Sequence, residues 1–213
     1  MSSDSPARKK LKERAWTIFF TLAITLVFGA TVSALHVATQ ERVAQNEKLF
    51  LQRALRQAAG LPKLPDAGLP EWFANSVTVD AGALRPRYTV RLEEDGKPVL
   101  VVERSGAGLW GTIRLAVGIA ADDDGISKLT GIAVLEQGET PGLGARIDEP
   151  WYAEQMRGKH GTLKRMPEGT RSERPDEIDG ITGATITAVA VQEILNRVLA
   201  EQDSADAEQR RAD

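Results

Sequence analysis

From Asp179 to Thr187 the chain reads Asp179-Gly180-Ile181-Thr182-Gly183-Ala184-Thr185-Ile186-Thr187, three hydroxyls and two glycines just ahead of an amphipathic stretch. Such a run suits a phosphate. A helix N-terminus offers unpaired N–H groups and the positive end of the helix dipole, and small residues let a phosphorylated ligand approach the backbone. The ordinary alternative is a plain helix start with Thr at the cap. A second run, Glu139-Thr140-Pro141-Gly142-Leu143-Gly144, places Pro before Gly as the centre of a type II turn requires. Its small residues expose backbone groups around Leu143, and taken alone it is a tight connector after a strand.

Other candidates fall to their context. Gly106-Ala107-Gly108-Leu109-Trp110-Gly111 has the spacing of a dinucleotide fingerprint. That fingerprint must open a helix, and the β-branched segment Thr112–Ile119 follows instead. The run is expected to be a glycine-rich turn that lets Trp110 fold over a neighbouring surface. Asp122-Asp123-Asp124-Gly125 invites calcium, but its acids are contiguous and Ala133 stands where the twelfth-position acid belongs. A solvated turn is the better reading. His36 lies in an apolar segment and His160 in a polar loop, with no second ligand at useful spacing, so no metal site is assigned.

The elements that must position these runs can be read from periodicity. Tyr88–Leu92 and Val99–Val102 flank Glu94-Asp95-Gly96-Lys97, a hairpin signal. Thr112–Ile119 and Leu129–Leu135 flank the Asp122–Gly125 turn in the same way. Asp148-Glu149-Pro150-Trp151 predicts a short helix with a capping carboxylate and Pro in the first turn, stopped by Gly158. From Thr185 to about Leu199 a helix is expected to bury Ile186, Val189, Ala190, Ile194 and Val198. This order favours an α+β domain with a largely antiparallel sheet and packed helices. Residues 201–213 are charged and apolar-poor, and a flexible, frayed tail is expected there.

The 213 residues are 42% hydrophobic, enough for a real core, and the net charge of -3 gives no basic surface for nucleic acid. There is no cysteine, which excludes disulfides, thiolate metal sites, cysteine-ligated clusters and thiol catalysis within the chain. From Ala15 to Ala38 there is no Asp, Glu, Lys or Arg, and the run meets the ~20 residues that a membrane span needs. Arg8, Lys9, Lys10, Lys12 and Arg14 precede it, whereas Glu41, Arg42, Glu47 and Lys48 mix the signs after it. The positive-inside bias puts the N-terminus in the cytoplasm and the rest outside. A cleaved signal peptide ending near Val32-Ser33-Ala34 competes, but the apolar run is long and continues past that point, which favours an uncleaved anchor. The expected plan is a basic segment at 1–14, a transmembrane helix at 15–38, a helical extension at 39–60, an extracytoplasmic domain at 61–200 and the tail at 201–213.

The run Thr182-Gly183-Ala184-Thr185 closely resembles the flavin-attachment motif of the FMN-binding subunits of Rnf-type electron transport complexes and of the sodium-pumping NADH:quinone oxidoreductase. Glu139–Gly144 resembles a second signature of that family, at its usual place upstream, and Gly108-Leu109-Trp110 is similar to a segment found chiefly on the quinone-reductase side. The resemblance implies FMN held covalently through a phosphoester on Thr185, installed by a separate flavin transferase. It implies a cofactor site drawn from Thr182, Gly183, Ala184, Glu139, Thr140, Gly142, Leu143, Gly144 and Trp110, in which the turn could hydrogen-bond a flavin ring edge while Leu143 covers its face. The residues themselves do not choose Thr185 over Thr182 or Thr187. The role implied is electron relay at the bacterial inner membrane, within a redox-driven ion pump built with other membrane subunits, with no complete reaction by this chain alone. Thr-Gly-Ala-Thr-Ile-Thr and the modest length favour the G subunit of an Rnf-type complex. Gly-Leu-Trp and Asp-Glu-Pro-Trp lean toward the C subunit of the quinone reductase. An alternative of another class is a cofactor-free anchored binding module in which Thr185 is merely structural.

Overall fold

The computed structural model describes residues 6–80, 82, 86–92, 98–122 and 125–212. The Glu94–Lys97 turn and Asp123-Asp124 lie outside the described residues. The chain divides into two compact units, one up to Lys48 and one from Leu49 onward.

Helix α1 covers Pro6–Ala58. In the first unit it contains a span long and apolar enough to cross a membrane. Its threonines do not leave their hydroxyls unsatisfied. Thr17, Thr21, Thr25 and Thr31 each donate to the carbonyl four residues back, at 2.8 to 2.9 Å, the way a hydroxyl is satisfied where no water is available.

The second unit is a sheet covered on both faces. Strands β1 (Val77–Asp80), β2 (Arg87–Arg91), β3 (Pro98–Ala107), β4 (Thr112–Ala121) and β5 (Ser127–Glu136) follow one another in an antiparallel meander. The α+β class and the two hairpins expected from periodicity are what the fold contains. One face packs on the last turns of α1, through Ala54, Leu55 and Ala58, and on α2 (Leu69–Ser76), through Leu69 and Trp72. The other carries α3 (Pro150–Glu154) and α4 (Thr185–Ala212), with Tyr152, Val191, Ile194, Leu195 and Val198 in the core. Because β4 is covered on both sides, Leu115 to Ile119 are buried without alternation. A parallel pair, β6 (Lys164–Met166) with β7 (Glu177–Asp179), leads into the start of α4.

Three particulars differ from the sequence reading. The compact unit takes in the end of α1, because Ala58 lies against the sheet: Thr130 Oγ1 donates to its carbonyl at 2.7 Å, and a Cβ on Gly118 would overlap that oxygen. The segment from Glu201, expected to fray, is helical through Ala212. Arg104 holds Glu201 at 2.6 Å, and the buried Ser127 hydroxyl donates to Asp206 at 2.6 Å. In α4, Ala190, Ile194 and Val198 are buried as expected, joined by Ala188, Val191, Leu195 and Leu199, but Val189 is only half-buried and Ile186 is 54% exposed in the first turn.

Candidate functional site

Helix α4 begins at Thr185, so Ala184, not a threonine, stands at the cap position. The Ala184 N–H donates back to the Ile181 carbonyl at 3.0 Å, and the first helical bond runs from the Ala188 N–H to the Ala184 carbonyl at 3.0 Å. The N–H groups of Thr185, Ile186 and Thr187 therefore have no acceptor within the helix. Gly183 makes the approach possible: its φ of 79° lies in the left-handed region that glycine adopts without a steric penalty.

The three hydroxyls of the run have different fates. Thr187 is 1% exposed and donates to Glu139 Oε2 at 2.5 Å. Thr182 is exposed; its N–H donates to Glu168 at 2.7 Å, and its hydroxyl helps to hold the Glu168 carboxyl down. Thr185 is exposed, and its hydroxyl makes no hydrogen bond among the described residues.

Glu139 gathers the motifs. Only 5% exposed, it accepts from Thr187 through Oε2 and from the Trp110 N–H through Oε1 at 3.0 Å, while its own N–H donates to Gln137 at 2.7 Å. The segments pack closely enough to require glycine around it. A Cβ on Gly108 would lie 2.5 Å from Glu139 Oε1, and one on Gly144 would lie 2.6 Å from Thr187 Oγ1. The expected type II turn is present: Leu143 donates to the Thr140 carbonyl at 3.1 Å, and Gly142 has a φ of 74°. Leu143 reaches across to the α4 start, its Cδ2 3.0 Å from where a Cβ on Gly183 would stand. The Gly108–Gly111 segment is a turn between strands, closed by the Gly108 N–H on the Gly111 carbonyl at 2.8 Å. Thus Thr182, Gly183, Ala184 and Thr185 share a neighbourhood with Glu139, Thr140, Gly142, Leu143, Gly144 and the Trp110 backbone. The Trp110 side chain does not fold over a neighbouring surface. It is 71% exposed, beside the exposed Leu109.

A second group was not legible as part of the site. Arg146 grips Glu168 with two bonds, at 2.7 and 3.2 Å, and lies 5.6 Å over the Trp151 ring. The Arg146 guanidinium, with help from Thr182, pulls the Glu168 carboxyl down to about 2. Buried Asp179 accepts the Gly169 and Arg171 N–H groups at 2.8 and 3.1 Å, fixing the loop that carries Glu168. Glu149 stands before α3 as expected, but its carboxylate does not cap the helix. It bonds the Trp151 indole N–H and Arg146 instead. Nothing in the local pattern around Glu168 signals this ion pair, because its partner lies 22 residues away.

The surface that results joins an open hydroxyl and unpaired N–H donors to exposed apolar side chains of Leu143 and Ile186. It suits a ligand with a phosphate at one end and a flat apolar ring at the other. A cavity of about 650 Å³ lies elsewhere, between the end of α1, residues 61–69, β5 and α3.

Residues 108–200 match the FMN-binding domain family, a span that holds all three motifs. The chain is 31% identical over 176 residues to the G subunit of the ion-translocating oxidoreductase complex of Methanosarcina acetivorans, covering 81% of this chain and 88% of that protein. It is 31% identical over 235 residues to the C subunit of the Na(+)-translocating NADH-quinone reductase of Pseudomonas aeruginosa, covering 84% and 89%. The crystal structure of the C subunit of the same type of reductase from Parabacteroides distasonis has the same fold, with a TM-score of 0.60 and 24% identity over 74% of this chain and 92% of that one. An FMN-binding domain behind a long apolar helix is the class of protein defined here. The chain belongs to the family that comprises the G subunits of Rnf-type ion-translocating oxidoreductases and the C subunits of Na(+)-translocating NADH-quinone reductases.

Proposed function

We propose that this chain is a membrane-anchored flavoprotein subunit that holds FMN as a phosphoester on Thr185 Oγ1 and relays electrons within a redox-driven ion-translocating complex of the Rnf type. The observation that carries the reading is the placement of the three threonines: Thr187 is buried against Glu139, Thr182 lies ahead of the helix with its N–H tied to Glu168, and Thr185 is open at the first helical position, among the N–H groups without a helical acceptor. Forming the ester replaces the hydroxyl proton and one phosphate oxygen, a net loss of one water, and a separate flavin transferase would carry it out. When bound, FMN supplies the redox chemistry. The protein supplies position: the N–H groups of Thr185, Ile186 and Thr187 would hold the phosphate, the turn at Gly142 would offer backbone groups, and Leu143 would shield a ring face. The covalent link prevents loss of FMN into the surrounding medium.

The basic residues before the apolar span support a cytoplasmic N-terminus and an extracytoplasmic domain. Membership of the quinone-reductase branch is a second reading, favoured by the Gly108-Leu109-Trp110 turn and the Asp148-Glu149-Pro150-Trp151 segment, and the 31% identity to a member of each branch leaves it open. Denatured, washed protein made with its flavin transferase is expected to retain flavin absorbance, and Thr185→Ala is expected to lose it while keeping its fold. A ferredoxin-type iron–sulfur protein among co-purifying chains selects the Rnf type. Flavin-free wild-type protein from such cells would leave only an anchored binding module.

A further inference from the structure

Glu139 is a buried carboxylate whose ligands are neutral donors: the Trp110 N–H and the Thr187 hydroxyl. Among the described residues no cation pairs with it. Nearby, Glu168 and Glu149 are compensated by Arg146, whereas buried Asp179 is held by the Gly169 and Arg171 N–H groups. Burying an uncompensated charge is costly, and two good hydrogen bonds lower that cost without cancelling the charge. The same three segments could be joined by a neutral glutamine, whose carbonyl would accept from Trp110 and whose amide would face Thr187 Oγ1. A carboxyl group is therefore more than the joint requires.

We propose that Glu139 is a fixed negative charge that lowers the reduction potential of the flavin held at this site. The inference rests on FMN at Thr185, since Thr187, two residues on, binds the carboxylate directly. Each electron that enters the ring without a proton adds one negative charge there. A like charge in the weakly screened interior beneath the turn opposes that addition. A proton from solvent that follows the electron cancels the added charge and the effect with it, so the influence falls on the unprotonated couple.

The test is a spectroelectrochemical titration of full-length flavinylated protein and Glu139→Gln in the same buffer. The proposal expects equal flavin content and a higher midpoint potential in the variant; an unchanged or lower potential overturns it. If Glu139→Gln fails to fold or to take flavin, infrared difference spectra of the wild-type protein decide, with the Glu139 band assigned by its displacement in Thr187→Val. An ionised carboxylate band that moves on flavin reduction supports the proposal. A protonated acid band, or no response, overturns it. Wild-type protein without covalent flavin would instead overturn the functional reading itself, and that is seen before any substitution is compared.

Discussion

Thr187 and Thr185 stand two residues apart and do opposite things. The Thr187 hydroxyl satisfies a buried carboxylate, so Thr187→Val leaves Glu139 short of a donor. Hydrogen bonds to charged groups at such sites are worth about 1–3 kcal/mol, and urea unfolding is expected to show a loss of that size with flavin attachment retained. Glu168 gives a pH prediction. Arg146 and Thr182 hold its folded-state carboxyl down to about 2, below the ordinary value of 4.5. A depressed carboxyl contributes stability that is fully present above its unfolded value and is lost as pH falls toward the folded one. The melting temperature is therefore expected to be level above about pH 5 and to fall between there and about pH 2, with a shallower fall in Glu168→Gln. Because the pair is solvent-accessible, added salt should weaken the effect.

At the scale of elements, close approach rules. Gly118 of β4 lies under the Ala58 carbonyl at the end of α1, and the Cβ of Gly118→Ala would overlap both that oxygen and Thr130 Oγ1. Overpacking of this kind costs about 1–3 kcal/mol, measurable as a shift in the urea midpoint at unchanged slope. The strands and their hairpins were legible because period-two patterning and turn residues are local signals. The α1–sheet contact was not, since Gly118 in an apolar strand reads the same whether a helix end or a side chain lies above it. Likewise the Glu139–Gly144 and Thr182–Thr185 runs were legible as separate motifs, but their joint through Thr187 and Glu139 spans 48 residues. The extension of α4 to Ala212 was missed because its anchors, Glu201 and Asp206, are charged residues held by distant strands, and composition alone makes such a segment look unattached.

For the whole molecule, the two compact units predict where the chain can be cut. Removing residues 1–48 leaves every core residue in place, and the remaining protein is expected to melt cooperatively. Removing residues 1–60 takes Ala54, Leu55, Ala58 and Ala59 out of the core. Truncation of a fully buried leucine such as Leu55 already costs about 2–5 kcal/mol, so this shorter form is expected to lose its cooperative transition and aggregate. The same division separates the apolar span from the domain that carries the three motifs. The central claim is that Thr185, among three neighbouring threonines, carries the cofactor. Its most direct test is fragment-ion mass spectrometry of the peptide containing Thr182, Thr185 and Thr187, from protein made with its flavin transferase. The account predicts a mass increase of FMN less one water located on Thr185; the same increase on Thr182 or Thr187, or an unmodified peptide, would contradict it.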